Sequence, residues 1–242
     1  MILSSHQPNY WPYPGLLGKI YMSDTFIYCT KIQFEIKSWQ KRNRIRTKDS
    51  WVYINVPVIK DKQEQLICDV QIDNDQDWRS KTYKTILNLY GKSAYFKDYK
   101  DFIEDLYSRE WTNLTDLDIY IMNWLLDELK IPTKILYDRD FNFEGKKTDL
   151  LISMCEKTGF DTYLSNYGSS AYVQIPRFTE RGLNHKYIDY KGCEYKQVYP
   201  GFEPGLSVLD MLCNCGTEET RRIITDKNNY CLSELNRDLY DE

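Results

Sequence analysis

The chain begins Met1-Ile2-Leu3-Ser4-Ser5-His6-Gln7-Pro8-Asn9-Tyr10-Trp11-Pro12-Tyr13-Pro14-Gly15, and no other stretch constrains the fold as much. A short apolar strand runs into a loop stiffened by prolines and crowded by Tyr10, Trp11 and Tyr13. Pro14 suits the first turn of a helix, where its missing N–H costs nothing. The pattern predicts a helix over 15–23 and, after Asp24-Thr25, a second apolar strand, Phe26-Ile27-Tyr28-Cys29. Strand, rigid loop, helix and strand form the unit with which α/β proteins place ligands beyond the carboxyl ends of their strands.

Further along, residues 51–57 alternate, with Val52, Ile54 and Val56 on one face, and read as a strand. A polar turn at 60–65 and a strand at 66–72 then predict a hairpin with it. The pattern turns helical over 78–90, 96–107 and 115–129, the last carrying a stripe of Leu117, Ile121, Trp124, Leu125 and Leu129. Strands are expected at 134–137, 162–164, 171–174 and 183–187, and helices at 147–157, 206–213 and 218–224. The tail beyond Asp226 reads as polar and loose. Alternating strands and helices point to a layered α/β fold with a mainly parallel sheet, one domain over 1–242 with a helical insertion at about 78–130.

The formal net charge of −4 argues against a general nucleic-acid binder. Yet Lys37, Lys41, Arg42, Arg44, Arg46 and Lys48 make one basic block, which in an acidic chain suggests a compact anionic ligand. Seven cysteines without a CxxC pair fit reduced thiols better than a disulfide framework. With only two histidines and unsuitable cysteine spacings, no metal site is expected. Only Ile2 and Leu3 are strongly apolar before polar residues begin, unlike a secretory signal. No run approaches the roughly 20 apolar residues that span a bilayer. The expectation is a soluble, cytoplasmic protein without membrane insertion.

His6, at the end of the first strand, and Asn9 are the candidate catalytic residues, with Gln7, Tyr10 and Trp11 beside them for substrate. An imidazole there suits a base, an acid or a phosphate partner; the alternative is a histidine that only ties down its loop. Trp39, Lys41, Arg42, Asn43 and Arg44 combine an aromatic plane with guanidinium forks that match phosphate or carboxylate; the alternative is a solvated basic loop. Arg79 stands at a helix start, where a plain surface position is an equal reading. Ser165 and Gly168 belong to a Ser/Gly loop that can cradle an anion or be an ordinary turn. Ser207 and Asp210 mark a loop-to-helix junction, while Cys213 and Cys215 read as structural.

HQPNYWPYPGLLGKI, QF…SWQKRNRI, WRSKTYKTILNLYGKSAYF, KTDLLISMCEKTGFDTYLSNYGSSAYV and FEPGLSVLDMLCNCG, in that order from residue 2 to about 224, resemble the WbqC-like protein family. Cys193 departs from a more usual proline, and Ser169-Ser170 from a more glycine-rich loop. The resemblance implies a place in bacterial surface-polysaccharide and O-antigen gene clusters and transfer of glycine or another aminoacyl group to an amino sugar. The opening unit also looks like that of pantothenate synthetases and related adenylate-forming enzymes, but Tyr13 and Leu16 stand where their HxGH motif has histidines. The function expected is a transferase that N-acylates an amino sugar on a nucleotide or lipid carrier. His6 would be the base, Lys41, Arg42 and Arg44 would hold diphosphate, and Trp39 would stack on base or sugar. ATP or an activated acyl donor is the co-substrate expected, a nucleotide-linked amino sugar the partner, and a homodimer is compatible. The rival readings are an ATP-dependent adenylating or nucleotidyl-transfer enzyme and a non-catalytic sugar-nucleotide-binding protein.

Overall fold

The computed structural model describes residues 1–59 and 65–233. Strand β1 (Ile2–His6) leads through helix α1 (Pro14–Tyr21) to β2 (Thr25–Tyr28). A hairpin of β3 (Arg42–Arg46) and β4 (Trp51–Asn55) follows, then α2 (Trp78–Tyr90), α3 (Phe96–Ser108) and α4 (Leu114–Glu128). The chain returns through β5 (Lys134–Tyr137), α5 (Thr148–Thr158), β6 (Thr162–Asn166), α6 (Ile175–Thr179) and β7 (Asn184–Tyr190). It continues as α7 (Val208–Thr225) and β8 (Tyr230–Ser233).

The main sheet has six strands in the order β5-β2-β1-β6-β7-β8. All pairs are parallel except β7–β8. The architecture is therefore the layered α/β fold with a largely parallel sheet that the strand–helix alternation predicts. Strand β2 feeds both layers through its period of two: Phe26 and Tyr28 enter one core, Ile27 and Cys29 the other. The larger core joins α1, α2–α4, α7 and the hairpin. The smaller lies under α5 and α6, around Leu151, Met154, Tyr163 and Phe178. Helices α2–α4 occupy the stretch where the sequence period placed them. The Asn113 side chain caps α4 by accepting from the Thr115 and Asp116 amides.

Three expectations are corrected. The strand at 51–57 pairs with Arg42–Arg46, not with 66–72, which holds a single 3-10 turn at Ile67–Asp69 and isolated bridges from Leu66 to Gln33 and from Ile72 to Val58. In β3 the alternation is carried by Asn43 and Ile45, both buried, between arginines, so an apolar pattern does not reveal it. Residues 171–174 form no strand, because a 3-10 turn, Tyr167–Ala171, runs on toward α6, whose first turn takes Pro176. The two helices expected at 206–213 and 218–224 are the two segments of α7, which Gly216 (φ 76°, ψ 173°) separates at a kink. Finally, beyond Asp226 the described residues form a 3-10 turn, Lys227–Asn229, and β8, while the rest of the tail expected to be loose, 234–242, lies outside the described residues. The turn expected at 60–65 lies almost wholly outside the described residues.

Tyr230 explains why β8 docks. Its ring is buried, its hydroxyl donates to the Ile224 carbonyl at 2.8 Å, and it lies against α1 where Gly18 has no side chain. A Cβ on Gly18 would stand 1.7 Å from the Tyr230 hydroxyl oxygen. Gly18→Ala is expected to destabilise the protein by about 1–3 kcal/mol through overpacking, read as a lower denaturant midpoint. An unchanged midpoint would contradict the docking of β8 on α1.

Candidate functional site

β1 is hydrogen-bonded to β2 on one edge and to β6 on the other, and the chain leaves it toward β2 first. The strand order therefore reverses at β1, and in open α/β sheets ligands bind beyond the carboxyl ends at such a point. A cavity of about 530 Å³ lies there. It is lined by Ser5, His6 and Gln7 from the end of β1, Lys19 from α1, Cys29 after β2, and Ser165, Asn166 and Gly168 from the end of β6 and its loop. A second lobe of about 490 Å³ shares Ile32, Gln33, Lys147 and Leu150 with it and adds Lys31, Lys146 and the stacked rings of Phe141 and Phe143.

His6 Nδ1 lies 2.9 Å from the Gln7 carbonyl oxygen, which can only accept. The ring proton therefore sits on Nδ1 and Nε2 carries the lone pair. Burial, then the charge of Lys19, pushes the imidazole down to about 3, so it stays neutral over the physiological range.

Lys19 is 1% exposed. Helix α1 is packed on nearly all sides, so its lysine cannot reach water, and Nζ donates to the Ser5 carbonyl at 2.9 Å instead. Burial lowers its ammonium to about 7. The Cys29 thiol beside it is raised to about 12 by burial and remains a thiol.

Ser165 Oγ lies 2.9 Å from His185 Nε2. His185 is wedged among Phe178, Tyr163 and Tyr187, burial holds it down to about 4, and its Nδ1 has no partner. Buried N–H groups without an acceptor are rarer than unsatisfied acceptors. The His185 proton accordingly sits on Nε2, donating to Ser165, whose own O–H is left for the cavity.

The structure distributes the candidate residues over three places. His6, Gln7, Ser165 and Gly168 line the cavity. Trp39, Arg42 and Arg44 meet on the outer face of the hairpin. Arg42 lies over Tyr53 (4.6 Å), and Arg44 over Trp51 (4.8 Å) and Trp39 (5.4 Å). Lys41 stands at the start of that hairpin, its carbonyl accepting from Val56. Glu35, on the cavity rim, is four residues from Trp39, a reach of at most about 14 Å.

The remaining candidates are built into the frame. Tyr10 and Trp11 are fully buried, both reaching the Tyr107 hydroxyl, and Asn9 turns its amide onto the Pro8 carbonyl. Asn43 donates to the Tyr10 and Trp11 carbonyls, holding Trp11 at a φ of 45°. Arg79 donates to the Arg109 carbonyl. Ser207 is buried with its amide on the Arg44 carbonyl, and Asp210 accepts from Tyr90, Tyr195 and Gln197. Lys19 and Lys147 on the cavity wall, and His185 behind Ser165, are groups that the sequence reading did not single out.

The family model for the WbqC-like protein family matches residues 7–222. The chain belongs to the WbqC-like protein family. It is also similar to the uncharacterized protein Rv1507c of Mycobacterium tuberculosis (strain ATCC 25618 / H37Rv), with 32% identity over 215 residues, 88% of this chain and 93% of that one. No solved structure matches it. The matched span contains Gln7, Lys19, Ser165 and His185, whereas His6 lies one residue before it. Among the described residues, no helix of this WbqC-like chain is long and apolar enough to cross a membrane.

Lys19 makes stability depend on pH. Its folded value of about 7 lies below the ordinary lysine value of 10.5 that holds for the unfolded chain. The unfolded state therefore binds more protons between those values, and stability rises with pH across that window. Lys19→Met removes the cost of burying the charge. Its stability gain over wild type, measured by denaturant unfolding, is expected to be larger at pH 7 than at pH 9.5. Parallel profiles at the two pH values would contradict a buried, desolvated ammonium.

Proposed function

We propose that this protein is a transferase that places an acyl or aminoacyl group on the amine of a sugar carried by a nucleotide or lipid. One observation carries the reading: a neutral imidazole, His6, whose Nδ1–H is taken by Gln7 and whose Nε2 is left as an acceptor, stands in the cavity at the reversal of strand order. An amine must give up a proton as it becomes an amide. A weak base cannot take it from a free ammonium, but the N–H becomes far more acidic as the C–N bond forms. His6 Nε2 accepts it at that stage, while the bond from the acyl carbon to the donor's phosphate or thiol breaks and that group leaves with its electron pair; a positioned general base contributes about 10²–10⁴-fold.

The rest of the site agrees. Among the described residues, the one carboxylate on this cavity's wall is the exposed Glu35, and Asp138 in the adjoining lobe is held by the Thr30 and Lys31 amides, so these residues set no carboxylate pair for hydrolysis of a glycosidic bond. The hairpin face offers exposed Trp39 and Tyr53 beside Arg42 and Arg44, a surface suited to a sugar ring or base and its phosphates. Membership of the WbqC-like family, with the surface-polysaccharide setting its resemblance implies, makes an amino sugar the acceptor of choice.

The test is to incubate the protein with UDP- or dTDP-linked amino sugars and either glycine with ATP or acyl thioesters. Mass spectrometry is expected to find the acylated sugar nucleotide. His6→Asn should lower turnover by about 10²-fold or more. In kcat/KM referred to the free-amine form of the acceptor, the enzyme's base titrates near 3, so activity should hold at pH 5.5 instead of falling through an ordinary histidine value. Failure to acylate any acceptor, or full turnover in His6→Asn, would overturn the proposal.

A further inference from the structure

The buried ammonium of Lys19 lacks a counter-charge. It is 1% exposed, its hydrogen-bond acceptor is a neutral backbone carbonyl, and no carboxylate is among its partners. Lysines are almost never fully buried unless paired, because taking the charge from water costs more than one neutral hydrogen bond returns. Yet among the described residues the wall of this cavity carries no acid apart from the exposed Glu35.

Beside Lys19, several groups facing the same space can donate. The Ser165 O–H is freed by the His185 Nε2–H behind it, and the Gln7 amide lines the wall. Lys147, from a different element, stands where the two lobes join and is exposed. Two ammonium groups, Lys19 on α1 and Lys147 at the start of α5, and the Ser165 hydroxyl on β6 line the space from three elements. A carboxylate has two oxygens in one plane. A phosphoryl group has three acceptor oxygens spread around phosphorus and more charge, and lysine binds it as a point charge.

We propose that the cavity between the ends of β1 and β6 is a phosphoryl-binding subsite, with Lys19 as its buried cation, Ser165 as hydroxyl donor and Lys147 closing its mouth. This deepens the transferase reading, which supplies the phosphorylated species: the diphosphate of the acceptor's carrier, or the phosphate leaving group of an activated acyl donor. The shared chemistry is the phosphoryl group beside the base His6. The lobe carrying Phe141, Phe143 and Lys146 is continuous with it, leaving room for the body of the molecule.

Calorimetric titration with inorganic pyrophosphate tests this without any turnover. Wild type should bind it. Lys19→Met should weaken binding by about thirtyfold or more, and the surface variant Lys147→Ala by about three- to tenfold, as expected for loss of charge-assisted contacts. Lys147→Ala keeps the test open should Lys19→Met fail to fold. Parallel titrations with UDP and AMP separate the sources: preference for UDP assigns the acceptor's diphosphate, preference for AMP the leaving group of an activated donor. No binding of pyrophosphate, UDP or AMP would overturn the proposal. So would affinities unchanged in both variants, or acetate and glycine binding through Lys19 where pyrophosphate does not. Pyrophosphate binding with no acyl transfer would sink the transferase reading alone.

Discussion

β1 is bonded on both edges, and the chain goes to β2 on one side before it comes back to β6 on the other. Neither connection can cover the end of the strand, so a crevice opens where β1 and β6 finish. Everything chemical in the molecule is arranged around that gap. The loop after His6 must leave it without filling it, which is why Tyr10 and Trp11 are driven into the core and locked by Tyr107 and Asn43. Helix α1 must cross the sheet next to the gap. It is buried on nearly every side, and its one lysine can go only to the Ser5 carbonyl and the cavity wall.

The same burial sets the electrostatics. A low-dielectric wall disfavours charge on His6, Lys19, Cys29 and His185 alike, so in the free protein the cavity holds neutral bases and a reluctant cation. Such groups are poised for a ligand that brings its own negative charge, because an anion close to Lys19 offsets the cost of burying the ammonium. His6, held as the Nδ1–H tautomer by Gln7, keeps its lone pair for a proton that appears only during reaction.

Much of this was legible in the sequence. Pro14 at a helix start, the apolar runs on either side of it and the period of the helices α2–α4 gave the opening unit, the sheet class and the helical stretch. His6 was legible because a lone histidine at a strand end stands out. Lys19 was not, since lysine on a short helix normally faces solvent; the signal was that Leu16, Leu17 and Ile20, with glycines at 15 and 18, leave α1 no polar face. His185 was hidden by topology: it meets Ser165 across the β6–β7 pair, whose register places Ser165 beside Tyr187 and His185 two residues back on the same face. Strand β3 was masked by its arginines, and β8 by a polar tail whose anchor is the single residue Tyr230.

The central claim is that the substrate enters the gap between the ends of β1 and β6. A crystal structure of the protein soaked with a UDP-linked amino sugar tests it most directly. The account predicts density in that cavity, with phosphate oxygens on Lys19 and the sugar amine within reach of His6 Nε2. Density confined to the hairpin face of Arg42 and Arg44, with the cavity empty, would contradict it.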